Sequence, residues 1–102
     1  MFGFLKNLFG PGTDFKDLMS KGAIIIDVRT PGEFNAGHIE GSRNIPLDKI
    51  TLKVDELKKT GKPVITCCRS GARSGIAKSQ LASAKIEVYN GGAWTSLNQK
   101  IS

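Results

Sequence analysis

Beyond residue 12 the chain switches repeatedly between two spacings of apolar side chains. Phe15, Leu18 and Met19 recur three and four residues apart after Thr13, a residue suited to cap a helix, and predict a short helix over Asp14–Ser20 that stops near Gly22. Ala23–Val28 (AIIIDV) is a continuous run rich in β-branched residues, as expected of a strand covered on both faces. Leu47, Ile50, Val54 and Leu57, following Pro46, predict helical turns that end before Gly61. Pro63–Cys67 (PVITC) reads as a second covered strand. Ala77, Leu81 and Ala84 form one stripe of a helix from about Ser74 to Ser83, and Ile86–Tyr89 reads as a third strand, closed by Gly91-Gly92. Trp94, Leu97 and Ile101 mark a last helix. Strands and helices alternating over short connections imply an α/β fold, a parallel β-sheet flanked by helices on both faces.

Composition narrows the class without naming a function. With 102 residues, 39% hydrophobic and 24% charged, the chain is sized and balanced for one globular domain. No apolar run approaches the ~20 residues a membrane span requires. Fifteen Lys and Arg against nine Asp and Glu give a net charge of +6, which favours anionic partners without distinguishing among them. Met1–Phe9 (MFGFLKNLF) is interrupted by Lys6 and is too short for a secretory segment. Its Phe2, Leu5 and Phe9 suggest an amphipathic turn packed on the domain, with a membrane-surface anchor as the sharper alternative. Gly10-Pro11-Gly12 breaks that segment, so residues 1–12 are expected to be an appendage and residues 13–102 the domain. Cys67 and Cys68 are adjacent, a poor geometry for a structural disulfide, which points to a reduced and hence cytoplasmic setting.

The chemistry concentrates where the second strand ends. In a parallel sheet the ligand site lies beyond the carboxyl ends of the strands, and there the chain reads Cys68-Arg69-Ser70-Gly71-Ala72-Arg73-Ser74 before a helix begins. A Gly-containing turn entering a helix N-terminus turns successive N–H groups inward, an arrangement suited to an anion. Arg69 and Arg73 add fixed positive charge. Both effects favour thiolate over thiol, so Cys68 is the candidate nucleophile and Arg69, Ser70, Gly71, Ala72, Arg73 and Ser74 the candidate anion cradle. Cys67 alternates to the opposite face and is expected in the core, with a resolving-thiol role as the lesser option.

Asp27-Val28-Arg29, Glu33-Phe34, Gly37-His38-Ile39, Gly41-Ser42 and Asn44-Ile45-Pro46 resemble the opening signature of rhodanese-like domains. Cys68 to Ser74 resembles their active-site loop, and Asn90-Gly91-Gly92 with Trp94 their closing segment, in the family's order over residues 14–101. One departure is Ser42, where the family usually carries Ala. The resemblance implies a single-domain sulfurtransferase in which Cys68 takes a sulfane sulfur from thiosulfate or a related anionic donor. A persulfide on Cys68 then passes the sulfur to cyanide, a small thiol or a protein thiol. It implies neither a cofactor nor a metal.

Other residues have plainer readings. His38, the one histidine, is expected to order its loop, since thiolate attack on sulfane sulfur needs no general base. Asp27 ends a covered strand and needs a partner, either Arg29 or N–H groups of the next turn. Trp94 belongs to the helix stripe. Lys58, Lys59 and Lys62 read as a solvated face, and no nucleic-acid motif accompanies them. Two alternatives remain open from sequence. Counted from Cys67, the spacing to Arg73 and Ser74 matches cysteine-dependent phosphatases and arsenate reductases, although Thr66 stands where those loops carry His. The domain is otherwise a persulfide carrier or interaction module whose partner completes the chemistry.

Overall fold

The structure is a computed structural model describing residues 12–102, so the turn suggested by Phe2, Leu5 and Phe9 lies outside the described residues. In chain order the elements are α1 (Phe15–Ser20), β1 (Ile24–Asp27), α2 (Pro31–Ala36), β2 (Arg43–Asn44), a 3₁₀ helix (Leu47–Lys53), α3 (Val54–Thr60), β3 (Val64–Cys68), α4 (Ala72–Ser83), β4 (Val88–Ala93) and α5 (Trp94–Ile101). The strands form one parallel sheet in the order β2-β1-β3-β4. Its two central strands are the two β-branched runs, paired from Ile24 opposite Val64 to Asp27 opposite Cys67.

Alternation along these strands divides the core into two layers. Ile26, Val64 and Cys68 pack with Ile50, Leu57, Ala77 and Leu81, the inner faces of the 3₁₀ helix, α3 and α4. Ile25, Ile65 and Cys67 pack on the other side with Phe15, Leu18 and Leu97 of α1 and α5. Helices therefore cover both faces, as the alternation of elements implies. No described helix is long and apolar enough to cross a membrane.

The differences from expectation have local causes. Asp14, not Thr13, caps α1: its extended backbone lets its carboxylate accept the Asp17 N–H at 3.0 Å. Leu47 and Ile50 are three residues apart, the repeat of a 3₁₀ helix, and only from Val54 does the chain relax into an α-helix. The element α2 has no buried residue and hence no apolar period to betray it. Its signal is instead a capping box, Thr30 with Glu33, and Pro31 at the start.

The strand expected over Ile86–Tyr89, β4, does not close at the glycines but runs from Val88 through them to Ala93. Thr66 faces Asn90 and Cys68 faces Ala93, so β4 carries one residue more than β3 over this stretch, a bulge at Gly91-Gly92. Gly91 is required there. A Cβ on it would stand 2.8 Å from Leu97 Cδ2, 2.9 Å from the Thr66 carbonyl and 3.0 Å from Ile65 Cγ2. We expect Gly91→Ala to lower stability by about 1–3 kcal/mol through overpacking. The measurement is the urea midpoint; an unchanged value would show that the bulge adjusts freely.

Candidate active site

Cys68 is the last residue of β3, and its side chain lies in the apolar layer under α4 with 1% of its surface exposed. A sulfur so enclosed is inert unless polar hydrogens reach it. Here they do. The Gly71 N–H donates to Sγ at 3.0 Å, the Ser74 N–H at 3.4 Å, and the Ser74 hydroxyl lies 3.3 Å away. Gly71 makes this possible by adopting a left-handed φ of 103° as the N-cap of α4, a conformation that strains any residue with a Cβ. No side chain of the cap residue bonds the helix end. Sγ receives the N–H of the third helical residue, the role that a serine or aspartate oxygen fills in an ordinary N-cap. Burial raises the Cys68 pKa, but hydrogen bonds from the Ser74 hydroxyl and the Ser74, Gly71 and Ser70 N–H groups outweigh it, leaving the thiol below its ordinary value.

The two loop arginines differ. The guanidinium of Arg73 grips both oxygens of Glu33, Nη1 to Oε1 at 2.8 Å and Nη2 to Oε2 at 3.0 Å. Of the two positive charges expected in the loop, that of Arg73 is therefore already matched by a carboxylate. Arg69 is exposed and makes no ion pair among the described residues. Hydrogen bonds from Arg73 and then from the Thr30 backbone hold the Glu33 carboxyl down at about 2.

Cys67, one residue earlier, is fully buried on the opposite face of the sheet. Burial, reinforced by the Asp27 carboxylate, pushes its thiol up to about 12. A phosphatase-type reading counted from Cys67 therefore puts its nucleophile in the other core layer, away from the Gly71 and Ser74 donors.

Asp27 takes both partners that the sequence allowed. Its Oδ1 accepts the Arg29 N–H at 3.0 Å, and the Arg29 guanidinium spans its two oxygens, with Nη2 to Oδ2 at 2.7 Å. Arg29 also donates to the Gly37 carbonyl at 2.7 Å and lies 4.9 Å from the Trp94 ring centre, tying the segment after α2 to α5. His38 stacks on Phe34 at 3.7 Å, with Nδ1 2.8 Å from the Phe34 carbonyl; it orders its own turn.

The family model of the rhodanese-like domain matches residues 12–96. The chain belongs to the rhodanese-like domain family. It is 38% identical over 96 residues to a putative mitochondrial thiosulfate sulfurtransferase of Schizosaccharomyces pombe, covering 79% of this chain and 67% of that protein. It is 45% identical over 69 residues to the uncharacterized protein YqhL of Bacillus subtilis, covering 67% of this chain but about half (54%) of the relative. Among solved structures, the human single-domain sulfurtransferase TSTD1 aligns with a TM-score of 0.68 at 26% identity, over 86% of this chain and 92% of that one.

Three residues of this rhodanese-like domain gain roles that the sequence reading had not assigned. Glu33 holds Arg73. Asn90 accepts the Ser74 hydroxyl at 2.7 Å and the Gly92 N–H at 2.9 Å, and donates to the Gly71 carbonyl at 3.2 Å. Thr66, fully buried in β3, donates to the Ser74 carbonyl at 2.9 Å. The capping box at Thr30 was a signal for Glu33; Asn90 stood in the closing motif without a role, and nothing local marked the role of Thr66.

The two thiols are expected to separate sharply in an ultraviolet titration. Cys67→Ser should retain a thiolate that forms below the ordinary thiol range, and Cys68→Ser should show none until strongly alkaline pH; the reverse order would overturn the assignment of the loop hydrogen bonds. Glu33 gives an acid-side prediction. Its folded pKa lies below its ordinary value of 4.5, so its stabilising effect is complete above that value and fades as pH falls towards about 2. The difference in urea midpoint between wild type and Glu33→Gln should therefore be largest near neutrality and shrink through that window.

Proposed function

We propose that the domain transfers sulfane sulfur from thiosulfate or a related anionic donor to a thiophilic acceptor through a persulfide on Cys68. One observation carries the reading: Sγ of Cys68 receives the Gly71 and Ser74 N–H groups at the N-terminus of α4, below its ordinary pKa. Relatives named as thiosulfate sulfurtransferases in Schizosaccharomyces pombe and Ectopseudomonas mendocina support it.

In the first half-reaction the Cys68 thiolate attacks the outer sulfur of thiosulfate. The new S–S bond forms as the bond to the sulfonate sulfur breaks, and sulfite leaves with the electron pair. The negative charge then sits on the terminal sulfur of the persulfide. The N–H groups of Ala72 and Arg73, in the first turn of α4, have no acceptor within the helix, and they are the groups we assign to that charge along with Ser70. Arg69 attracts the anionic donor from solvent. In the second half-reaction cyanide or a thiolate attacks the terminal sulfur, and the Cys68 thiolate is regenerated as leaving group. No proton needs to move in either step when the nucleophile is already ionised, which fits a site with no histidine in contact with Sγ. Two covalent half-reactions predict ping-pong kinetics.

A second reading, a persulfide carrier serving a partner protein, is favoured by how the domain occurs in longer relatives. The chain spans 15% of the adenylyltransferase and sulfurtransferase MOCS3 of Aedes aegypti and 16% of a Bacillus anthracis CoADR-RHD chain. Both readings require the same loaded Cys68 and differ in the acceptor. A reduced, cytoplasmic setting suits either, since both cysteines are free.

Intact mass after incubation of reduced protein with thiosulfate tests the first half-reaction. Wild type and Cys67→Ser should gain one sulfur atom and Cys68→Ser none. No gain in any form would sink transfer from this donor. Loading followed by negligible turnover with cyanide and small thiols would favour the carrier.

A further inference from the structure

The Ser74 hydroxyl faces two acceptors with one proton. Its oxygen is fully buried, 3.3 Å from Cys68 Sγ and 2.7 Å from Asn90 Oδ1. The orientation of the Asn90 amide is fixed from both sides, because the Gly92 N–H must meet an oxygen and the Gly71 carbonyl must meet the NH₂. We propose that Asn90 is a positioning residue for Cys68, competing with the sulfur for the single Ser74 hydroxyl proton.

The two ionisation states of Cys68 then use the hydroxyl differently. As a thiol, Cys68 donates S–H to Ser74 Oγ, and Ser74 donates to Asn90. When the S–H proton leaves to solvent, the Ser74 proton has a charged acceptor on one side and Asn90 on the other. Turning to the sulfur leaves Asn90 Oδ1 with the Gly92 N–H alone, so the cost of releasing Asn90 opposes thiolate formation. After sulfur uptake the charge lies on the terminal sulfur, Sγ is neutral, and the hydroxyl returns to Asn90. Asn90 thus makes the ionised resting enzyme less stable than the loop donors alone would, while favouring the neutral Sγ of the persulfide.

The charged groups around Cys68 do not substitute for this effect. Arg73 on α4 lies within Coulombic reach but is paired with Glu33 of α2, and Asp27 on β1 is paired with Arg29. Arg69 lies on the exposed loop, Cys67 faces the other core layer, and β4 contributes only Asn90, Gly91, Gly92 and Ala93 at this end.

The test is the thiolate titration of Cys68 in a cycle of variants, on the Cys67→Ser background. Asn90→Ala should lower the titration midpoint by about one pH unit, the shift expected of one hydrogen bond returned to a charged sulfur. Ser74→Ala should raise it. In the double variant the Asn90 effect should vanish, because no hydroxyl remains to be shared. An Asn90→Ala midpoint that is unchanged or raised, or an equal shift without Ser74, overturns the proposal. Asn90→Asp loses the bond to the Gly71 carbonyl, as Asn90→Ala does, but keeps the acceptor, so a shift caused by a loosened loop would have the same sign in both. Asn90→Asp should instead raise the midpoint, and raise it less on the Ser74→Ala background, where only through-space charge remains. Equal rises on both backgrounds overturn the proposal as well. The inference deepens the reading of Cys68 as nucleophile, but the titration uses no sulfur donor, so its failure and a failure of sulfur loading are separate results.

Discussion

A sulfur removed from water holds negative charge only where other hydrogens replace the lost hydration, and the carboxyl end of this sheet is arranged around that requirement. Cys68 has almost no exposed surface, yet its sulfur fills the role of a cap side chain for α4. The helix supplies the N–H groups that its first turn cannot bond internally, and the sulfur supplies the acceptor that the helix end lacks. Each satisfies the other. Gly71 must take a left-handed conformation to bring the turn round, and the bulge at Gly91-Gly92 must leave space for that turn against β4. The candidate nucleophile is therefore also a structural group.

Formal charge plays a smaller part than the basic composition suggests. Asp27 and Arg29 neutralise each other inside the fold, and Glu33 and Arg73 do so at its edge. What reaches Sγ is the partial charge of backbone N–H groups, fixed in direction by the helix, and of one hydroxyl shared with Asn90. The N–H dipoles need no reorganisation when the charge on the sulfur changes, whereas a mobile ammonium or guanidinium would have to follow.

The two central strands were legible because their β-branched runs, Ile24 to Ile26 and Val64 to Thr66, allow little else, and Leu81 and Leu97 marked their helices by spacing alone. The thiol, glycine and helix start of the candidate site were visible for the same reason: they are contiguous. The pairing of Arg73 was hidden because its partner Glu33 lies forty residues away on a helix with no buried face. Asn90 and Thr66 stood in motifs, but their hydrogen-bonding roles were not legible because each acts across strands, through a register that includes an extra residue in β4. Local spacing cannot announce a bulge; the absence of room for a Cβ at Gly91 and the left-handed φ of 78° at Gly92 explain why two glycines continue a strand there.

The opposed directions of Cys67 and Cys68 also bear on oxidative damage. Many reactive thiols escape irreversible oxidation because a second cysteine closes a disulfide on the sulfenic acid. Here the neighbouring thiol is separated from Cys68 by the sheet itself, in the packed layer with Ile25, Ile65 and Leu97. Joining the two sulfurs would require one strand residue to turn over and β3 to leave its pairing with β1. An oxidised Cys68 has no rescuer within the described fold. Under the proposed sulfur transfer its protection would lie in staying loaded or in an external thiol small enough to enter the loop, which would tie the survival of the site to the same acceptors that discharge it.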